Sequence, residues 1–178
     1  MSILAATAAE RAELITFVPL AVLSLVSAVG MVTSRNAVYS ALLLVVNFFC
    51  LAGFYVLLQA QFLAAVQVIV YAGAIMVLFL FVLMLLGIGN QEVVSETIPG
   101  QRVTAGVLGV LLLVAVVVAV VNGGLSGGAG DLAAANAGGN VQAVGRLMFT
   151  RYVFAFEATG ILLVVAAVGA LVLGKRRP

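Results

Sequence analysis

Five apolar stretches, each long enough to cross a lipid bilayer, make up most of this 178-residue chain. A bilayer core of about 30 Å requires about 20 residues of α-helix. The stretches that meet this length are residues 15–32, 37–58, 62–87, 103–121 and 152–173. With 65% hydrophobic and 8% charged residues, the chain cannot hide its apolar surface as a water-soluble globule. The sequence therefore predicts an all-α polytopic membrane protein, folded as a single membrane-embedded domain over residues 1–178.

The segments that link the five spans differ in length and composition. Residues 33–36 and 59–61 are short and polar, so each predicts a tight turn between antiparallel neighbours. Residues 88–102 predict a modest loop. Residues 122–145 are rich in Gly, Ala and Asn and have too few large apolar side chains for a core of their own, so they predict a flexible loop on the outward side.

Basic residues near the span ends predict the orientation in the membrane. One side carries Arg35, Arg102, Lys175, Arg176 and Arg177, and the other carries Arg11, Arg146 and Arg151. Because cytoplasmic segments carry the excess of Lys and Arg, the first side is predicted to be cytoplasmic. The C-terminus then lies in the cytoplasm, and the N-terminus and the Gly-rich loop face outward. The basic tail is typical of a membrane-surface anchor, and no nucleic-acid partner is expected.

The composition excludes several kinds of site on this chain alone. It contains no His and one Cys, Cys50, so it lacks the ligand set of a haem, an iron–sulfur cluster or a zinc ion. No pair of residues forms a nucleophile with its base, and the Gly-rich loop lacks the Lys and Ser or Thr of a phosphate-binding loop. We expect no catalytic residue, cofactor site or metal site within this chain.

Two polar side chains within the spans have alternative interpretations. Glu157 is the only charged side chain inside the spans. It lies about 7 Å along the helix from Tyr152, so it either pairs with Arg146 or Arg151 at the interface, or forms a buried contact with another subunit. For Asn47, an interhelical hydrogen bond is the favoured interpretation, and a ligand of membrane water is the alternative.

The third span contains the most unusual local pattern. Gln67 and Tyr71 are four residues apart and share a helix face. Gly73 follows the tyrosine and precedes a run of bulky residues. A glycine here indicates either close packing against another helix or a kink or π-bulge, and such bulges often mark functional sites.

Residues 70–81, Val-Tyr-Ala-Gly-Ala-Ile-Met-Val-Leu-Phe-Leu-Phe, resemble the third helix of subunit J of bacterial NADH–quinone oxidoreductase, in the family that includes NADH dehydrogenase chain 6. The similarity extends to Arg35-Asn36-Ala37, to Asn47-Phe48 and to Phe156-Glu157. It covers about two-thirds of the chain. Many family members have proline where this chain has Ala155, a difference that predicts an earlier start of the fifth span, within residues 148–152.

The resemblance implies a function for the third span. Subunit J proteins are non-redox membrane-arm subunits of respiratory complex I, a translocase that couples quinone reduction to proton pumping. The family's third helix carries a π-bulge, which here corresponds to residues 71–76. A gate made of Tyr71, Gly73, Ala74, Met76 and Val77 would open a water path. Gln67, Asn47 and Glu157 would belong to the proton or water path.

The resemblance also implies the setting of the chain. Its partners are the lipid bilayer and the other membrane-arm subunits, and its location is the bacterial inner membrane. The complex uses NADH, FMN, iron–sulfur clusters and a quinone in or near other subunits. Three alternatives remain: a ferredoxin- or hydrogenase-linked proton pump, an antiporter complex, and a small stand-alone transporter. The last is disfavoured because no carboxylate lies in the middle of a span.

Overall fold

The computed structural model describes the backbone of residues 2–87, 100–122, 136 and 138–175, and the side chains of these residues except 2–10 and 102. Over these ranges the chain forms six helices and no strand. They are α1 (Ser2–Thr33), α2 (Ala37–Leu57), α3 (Gln61–Leu86), α4 (Gln101–Asn122), α5 (Asn140–Thr150) and α6 (Val153–Gly174). Five of them contain apolar segments long enough to span a membrane, whereas α5 has 11 residues. The prediction of an all-α protein with five spans is confirmed.

The chain divides into two compact units, Met1–Ala129 and Gly130–Pro178. In the first unit, α2 contacts α1, and it also contacts α3 from the beginning to the end of that helix. The side chains buried in this unit are mostly small: Ser27, Ala41, Cys50, Ala52, Ala64 and Ala72, together with Gln67 and Met76. Small side chains let helix backbones approach closely, which is the usual means of association where lipid supplies no hydrophobic driving force. In the second unit, α5 contacts α6.

Local capping explains where α2 and α3 begin and end. The Asn36 side-chain oxygen accepts from the backbone N–H of Val38 at 2.9 Å and so caps α2. At the other end of α2, the N–H of Ala60 donates to the carbonyl of Tyr55 at 2.8 Å and closes the turn into α3. Gly87 then ends α3 in a left-handed conformation, with φ of 65°. These are the tight connections that antiparallel neighbours require.

The helices differ substantially from the predicted segments at two places. α1 begins at Ser2, earlier than residue 15, because its first turns are rich in alanine, a good helix former, whereas the charged residues Glu10, Arg11 and Glu13 exclude these turns from the predicted span. The predicted loop 122–145 is wrong at its end, since α5 begins at Asn140. Residues 123–135 and 137 of that loop lie outside the described residues, as do residues 88–99 and the tail residues Arg176 and Arg177.

The fifth span does not begin early. Arg151 and Tyr152 interrupt the helix, with Tyr152 at φ −113° and ψ 24°, and α6 begins at Val153. The helical residues before this break form the separate helix α5. The expectation drawn from Ala155 is therefore wrong: the absence of proline did not lengthen α6.

Candidate functional site

The third span is wound in two ways. Its ends, Gln61–Val66 and Met76–Leu86, are α-helical, and the middle, Gln67–Ile75, is a π-helix. At the end of this π segment the N–H of Met76 donates to the carbonyl of Tyr71, five residues earlier. The predicted irregularity is confirmed, with a shifted register: the π segment starts four residues before Tyr71 and ends just before Met76.

Gly73 occupies a position in the π segment where a side chain would be crowded by the helix itself. A Cβ atom on Gly73 would lie 3.2 Å from the carbonyl oxygen of Val68, five residues earlier. No atom of another described helix would lie within 4 Å of it. Within the described part of the chain, Gly73 therefore serves the backbone geometry, and no other helix packs closely onto it. This favours the π-bulge interpretation over the close-packing one.

The π segment keeps one face of α3 against α2. The buried residues along the span are Ala64, Gln67, Ala72 and Met76. Gln67 and Ala72 are five apart, a spacing that would separate them by about 140° on an α-helix of about 100° per residue. The wider π turn brings both to the same packed face. Helical winding and packing against α2 are therefore coupled in this segment.

Tyr71 joins the π segment to α2 through its ring. The centroids of the Tyr71 and Phe48 rings are 5.6 Å apart, with the ring planes at 63°, an edge-to-face arrangement. The Tyr71 side chain is half-exposed, and its hydroxyl makes no hydrogen bond within the described residues. Phe48, which sequence reasoning noted only as part of a resemblance, is thus a direct neighbour of the site.

The other predicted gate residues lie on different sides of α3. Met76 is 3% exposed and belongs to the packed face, whereas Val77 is 61% exposed on the open face. Ala74 is also exposed. The five predicted gate residues therefore lie within seven residues of one helix, and they divide between a face packed on α2 and a face that is open in this chain.

Gln67 is a polar side chain placed in the packed face. It is 8% exposed, and its amide makes no hydrogen bond within the described part of the chain. Every fully buried side-chain nitrogen or oxygen among the described residues has a partner, so the Gln67 amide keeps a small opening to its surroundings. An amide in this setting can bind a water molecule or a polar group of another chain.

The side chain of Asn47 links α2 to α1 through hydrogen bonds. Its Nδ2 donates to the Ser24 carbonyl oxygen at 2.9 Å and lies 3.1 Å from Ser24 Oγ and 3.2 Å from Ser27 Oγ. The Ser27 hydroxyl is buried and donates to the same Ser24 carbonyl at 2.9 Å. The favoured interpretation of Asn47 as an interhelical hydrogen-bonding residue is confirmed. Its partner Ser24 was not predicted, because a serine in an apolar span carries no signal of which helix it faces.

Glu157 lies in the second unit, on the second turn of α6, and its side chain is exposed. Among the described residues it makes no ion pair with Arg146 or Arg151. Arg151 instead lies over the ring of Tyr152, with its guanidinium carbon 6.0 Å from the ring centroid. Within the described part of the chain, no three or more His, Cys, Asp or Glu side chains come together as a metal site would require.

Several known proteins have sequences similar to this chain. The sequence pattern described as NADH-ubiquinone/plastoquinone oxidoreductase chain 6 matches residues 27–173. NADH-quinone oxidoreductase subunit 10 of Thermus thermophilus is 45% identical over 155 residues, which cover 85% of this chain and 83% of that protein. NADH-quinone oxidoreductase subunit J of Rhodobacter capsulatus is 33% identical, over 88% of this chain and 78% of that protein. The F(420)H(2) dehydrogenase subunit J of Methanosarcina mazei is 35% identical, over 95% of this chain and 94% of that protein.

Proposed function

This chain belongs to the NADH-ubiquinone/plastoquinone oxidoreductase chain 6 family, and from that membership we propose that its third span gates a proton path in a proton-translocating NADH-quinone oxidoreductase. The relatives carry the names of subunits of such enzymes. Other membrane-arm subunits are therefore its partners, and it works within a hetero-oligomer in the lipid bilayer. The gate couples quinone reduction elsewhere in the complex to proton transfer.

The gate switches between π and α winding of the third span. Converting the π segment to α geometry removes one residue from the turn and rotates the helix beyond it by about 100°. In the π form, Met76 fills the face packed on α2 and Val77 lies on the open face. The rotation carries Met76 off the packed face, which opens or closes the space that its side chain fills.

Gly73 is the observation that supports this proposal most directly. A side chain at residue 73 would crowd the carbonyl of Val68 in the π form. An α-helix has no such conflict, and it prefers alanine to glycine by about 1 kcal/mol. Glycine therefore leaves the two windings close in free energy, which a switch requires.

Polar groups beside the gate supply hydrogen bonds for the water path. The Gln67 amide has no partner within the described chain and stands at the start of the π segment. Asn47 holds α1 and α2 together through Nδ2, while its Oδ1 accepts no hydrogen bond among the described residues and is free to bind water. We also propose that the Glu157 carboxylate, within α6, takes part in proton transfer.

The redox chemistry belongs to other subunits. NADH, FMN, iron–sulfur clusters and the quinone are held in or near those chains, and this chain contributes no ligand to them. Its own contribution is conformational. We place it in the inner membrane of a bacterial cell, with its N-terminus on the periplasmic side and its C-terminus in the cytoplasm. The order of the five spans in the sequence assigns Arg35, Arg102 and Lys175 to one side, and cytoplasmic segments carry the excess of basic residues.

A second candidate differs only in the electron donor. The similarity to an F(420)H(2) dehydrogenase subunit extends over 95% of this chain, so a related complex with another reduced carrier uses a similar membrane subunit. Membranes that contain this protein should oxidise NADH with quinone under the leading proposal, and should require the other carrier under the second.

The decisive experiment compares Gly73→Ala with Gly106→Ala in the assembled complex. Residue 106 lies on α4, where an added Cβ meets nothing within 4 Å. We expect Gly73→Ala to lower proton pumping in inverted membrane vesicles several-fold at normal complex content, and Gly106→Ala to pump like the parent. Pumping per NADH oxidised is followed with a pH-sensitive dye. Unchanged pumping in assembled Gly73→Ala complex would refute the gate.

A further inference from the structure

Helix α5 is the most strongly amphipathic of the described helices, more so than any of the five spans. Steps of about 100° place four apolar side chains within an arc of about 120°. They are Val141, Val144, Leu147 and Met148. The opposite face carries Gln142, Arg146 and Thr150.

The apolar face of α5 is open in this chain. Val141 is 57% exposed and Leu147 is 50% exposed, whereas Val144 between them is half-buried. The described side chains give α5 one specific attachment to α6: the rings of Phe149 and Phe156 meet edge to face, with centroids 5.0 Å apart. At about 100° per residue, the Phe149 ring lies on the polar side of α5, so this contact does not cover the apolar face.

The position of α5 in the chain brings it to the membrane surface. Only Arg151 and Tyr152 separate it from α6, which is long and apolar enough to span the membrane. At 11 residues α5 is about 16 Å long, about half the thickness of the hydrocarbon core, so it cannot cross it. A short two-faced helix joined to the end of a span fits the plane of the lipid headgroups.

The charges of α5 match a negatively charged lipid surface. Residues 140–152 contain Arg146 and Arg151 and no acidic residue. Arg146 lies on the polar face, and the Arg151 guanidinium lies over the Tyr152 ring. Tyrosine and arginine at the end of a span are typical of the headgroup level, where anionic phosphates attract basic side chains.

We propose that α5 lies flat in the boundary between headgroups and acyl chains, with Leu147 and its apolar neighbours in the acyl region and Arg146 and Arg151 on anionic phospholipid phosphates. The partner of this surface is the phospholipid itself. The surface anchors the start of α6, which holds Phe156 and Glu157 at a fixed depth. This inference is independent of the gate in the third span.

The absence of tryptophan from this chain makes the test direct. Leu147→Trp and its matched control Gln142→Trp each introduce a single emitter in the full chain, on faces about 140° apart. In phosphatidylcholine vesicles containing phosphatidylglycerol, brominated lipid should quench the Leu147→Trp emission strongly and aqueous iodide should quench it weakly. Gln142→Trp should show the reverse. Equal quenching of both by iodide would overturn the proposal.

The role of the basic residues is tested in the same vesicles. Adding Arg146→Gln and Arg151→Gln to Leu147→Trp should reduce the quenching by brominated lipid. Omitting phosphatidylglycerol should reduce the quenching of Leu147→Trp when both arginines are present. If the quenching is the same in both cases, the arginines do not bind anionic headgroups, and that part of the proposal is refuted.

A third measurement uses the assembled complex, where another subunit could cover α5. A photo-crosslinking benzoylphenylalanine at residue 147 should yield phospholipid adducts by mass spectrometry. Adducts to another subunit in place of lipid would show that a protein partner occupies this face and would overturn the proposal.

Discussion

Gly73 faces the carbonyl oxygen of Val68, five residues earlier, so closely that a Cβ atom would stand 3.2 Å from that oxygen. A π-helix brings the carbonyl of residue i−5 toward residue i, whereas an α-helix directs the carbonyl of residue i−4 to that place. Alanine at position 73 would have to displace Val68 by a few tenths of an ångström. A side chain at position 73 would therefore disfavour the π winding of the third span.

Gly73→Ala should convert the π segment to α geometry. Crowding disfavours the π form by about 1 kcal/mol, and the better helix propensity of alanine favours the α form by about 1 kcal/mol. Together they shift the ratio of the two forms by about 30-fold. In a structure of the variant complex, the Met76 N–H should donate to the Ala72 carbonyl in place of Tyr71. An unchanged bond to Tyr71 would contradict this prediction.

Tyr71 should act through its ring and not through its hydroxyl. The ring meets Phe48 edge to face, and the hydroxyl has no hydrogen bond within the described residues. Tyr71→Phe keeps the ring contact, so its pumping should match the parent. Tyr71→Ala loses a contact of about 0.5–1.5 kcal/mol and should uncouple NADH oxidation from pumping. Loss of pumping in Tyr71→Phe would show that the hydroxyl is required, and it would contradict this prediction.

Asn47→Leu should weaken the attachment of α1 to α2. The variant loses the Nδ2 contacts to Ser24 and Ser27, an effect of about 0.6–2 kcal/mol in a membrane interior. Unfolding of the purified protein in mixed detergent micelles should shift to lower denaturant. Ser24→Ala is the matched control, because it keeps the backbone carbonyl that accepts the shortest of the three contacts, at 2.9 Å, and should therefore lose less. Equal stability of Asn47→Leu and the parent would contradict a structural role.

The orientation predicts opposite labelling at two exposed positions. Gln101→Cys, at the start of α4, should react with a membrane-impermeant maleimide only from the cytoplasmic side. Gln142→Cys, on the polar face of α5, should react only from the periplasmic side. Right-side-out and inverted vesicles distinguish the two. The reverse pattern would invert the topology proposed for this chain.

The sequence predicted the five spans well and helix α5 poorly. Each span is a continuous apolar run, which length alone identifies, because lipid admits only helices with satisfied backbones. α5 begins within a stretch rich in Gly, Ala and Asn, a composition that predicts a loop. The spacing of Val141, Val144 and Met148 at intervals of three and four residues, with Arg146 opposite, was the pattern that would have identified it.

The sequence predicted an irregular helix in the third span, but it did not predict the residue at which the irregularity begins. Gly73 indicated an irregular helix, but the π segment begins at Gln67, where the local residues are compatible with α geometry. The register depends on packing, since Gln67 and Ala72 share the face against α2 only when the turn is widened. No property of either residue alone contains that information.

The sequence by itself determined that this chain spans a membrane five times and carries one glycine-marked irregularity in its third span, because apolar length and backbone freedom are local properties. The tertiary structure decided that Phe48 meets Tyr71, that Ser24 is the partner of Asn47, and that the widened turn starts at Gln67. Each of these depends on which faces of neighbouring helices come together. That choice is made by the fit of small side chains at close approach, a property of pairs of helices that no single segment specifies.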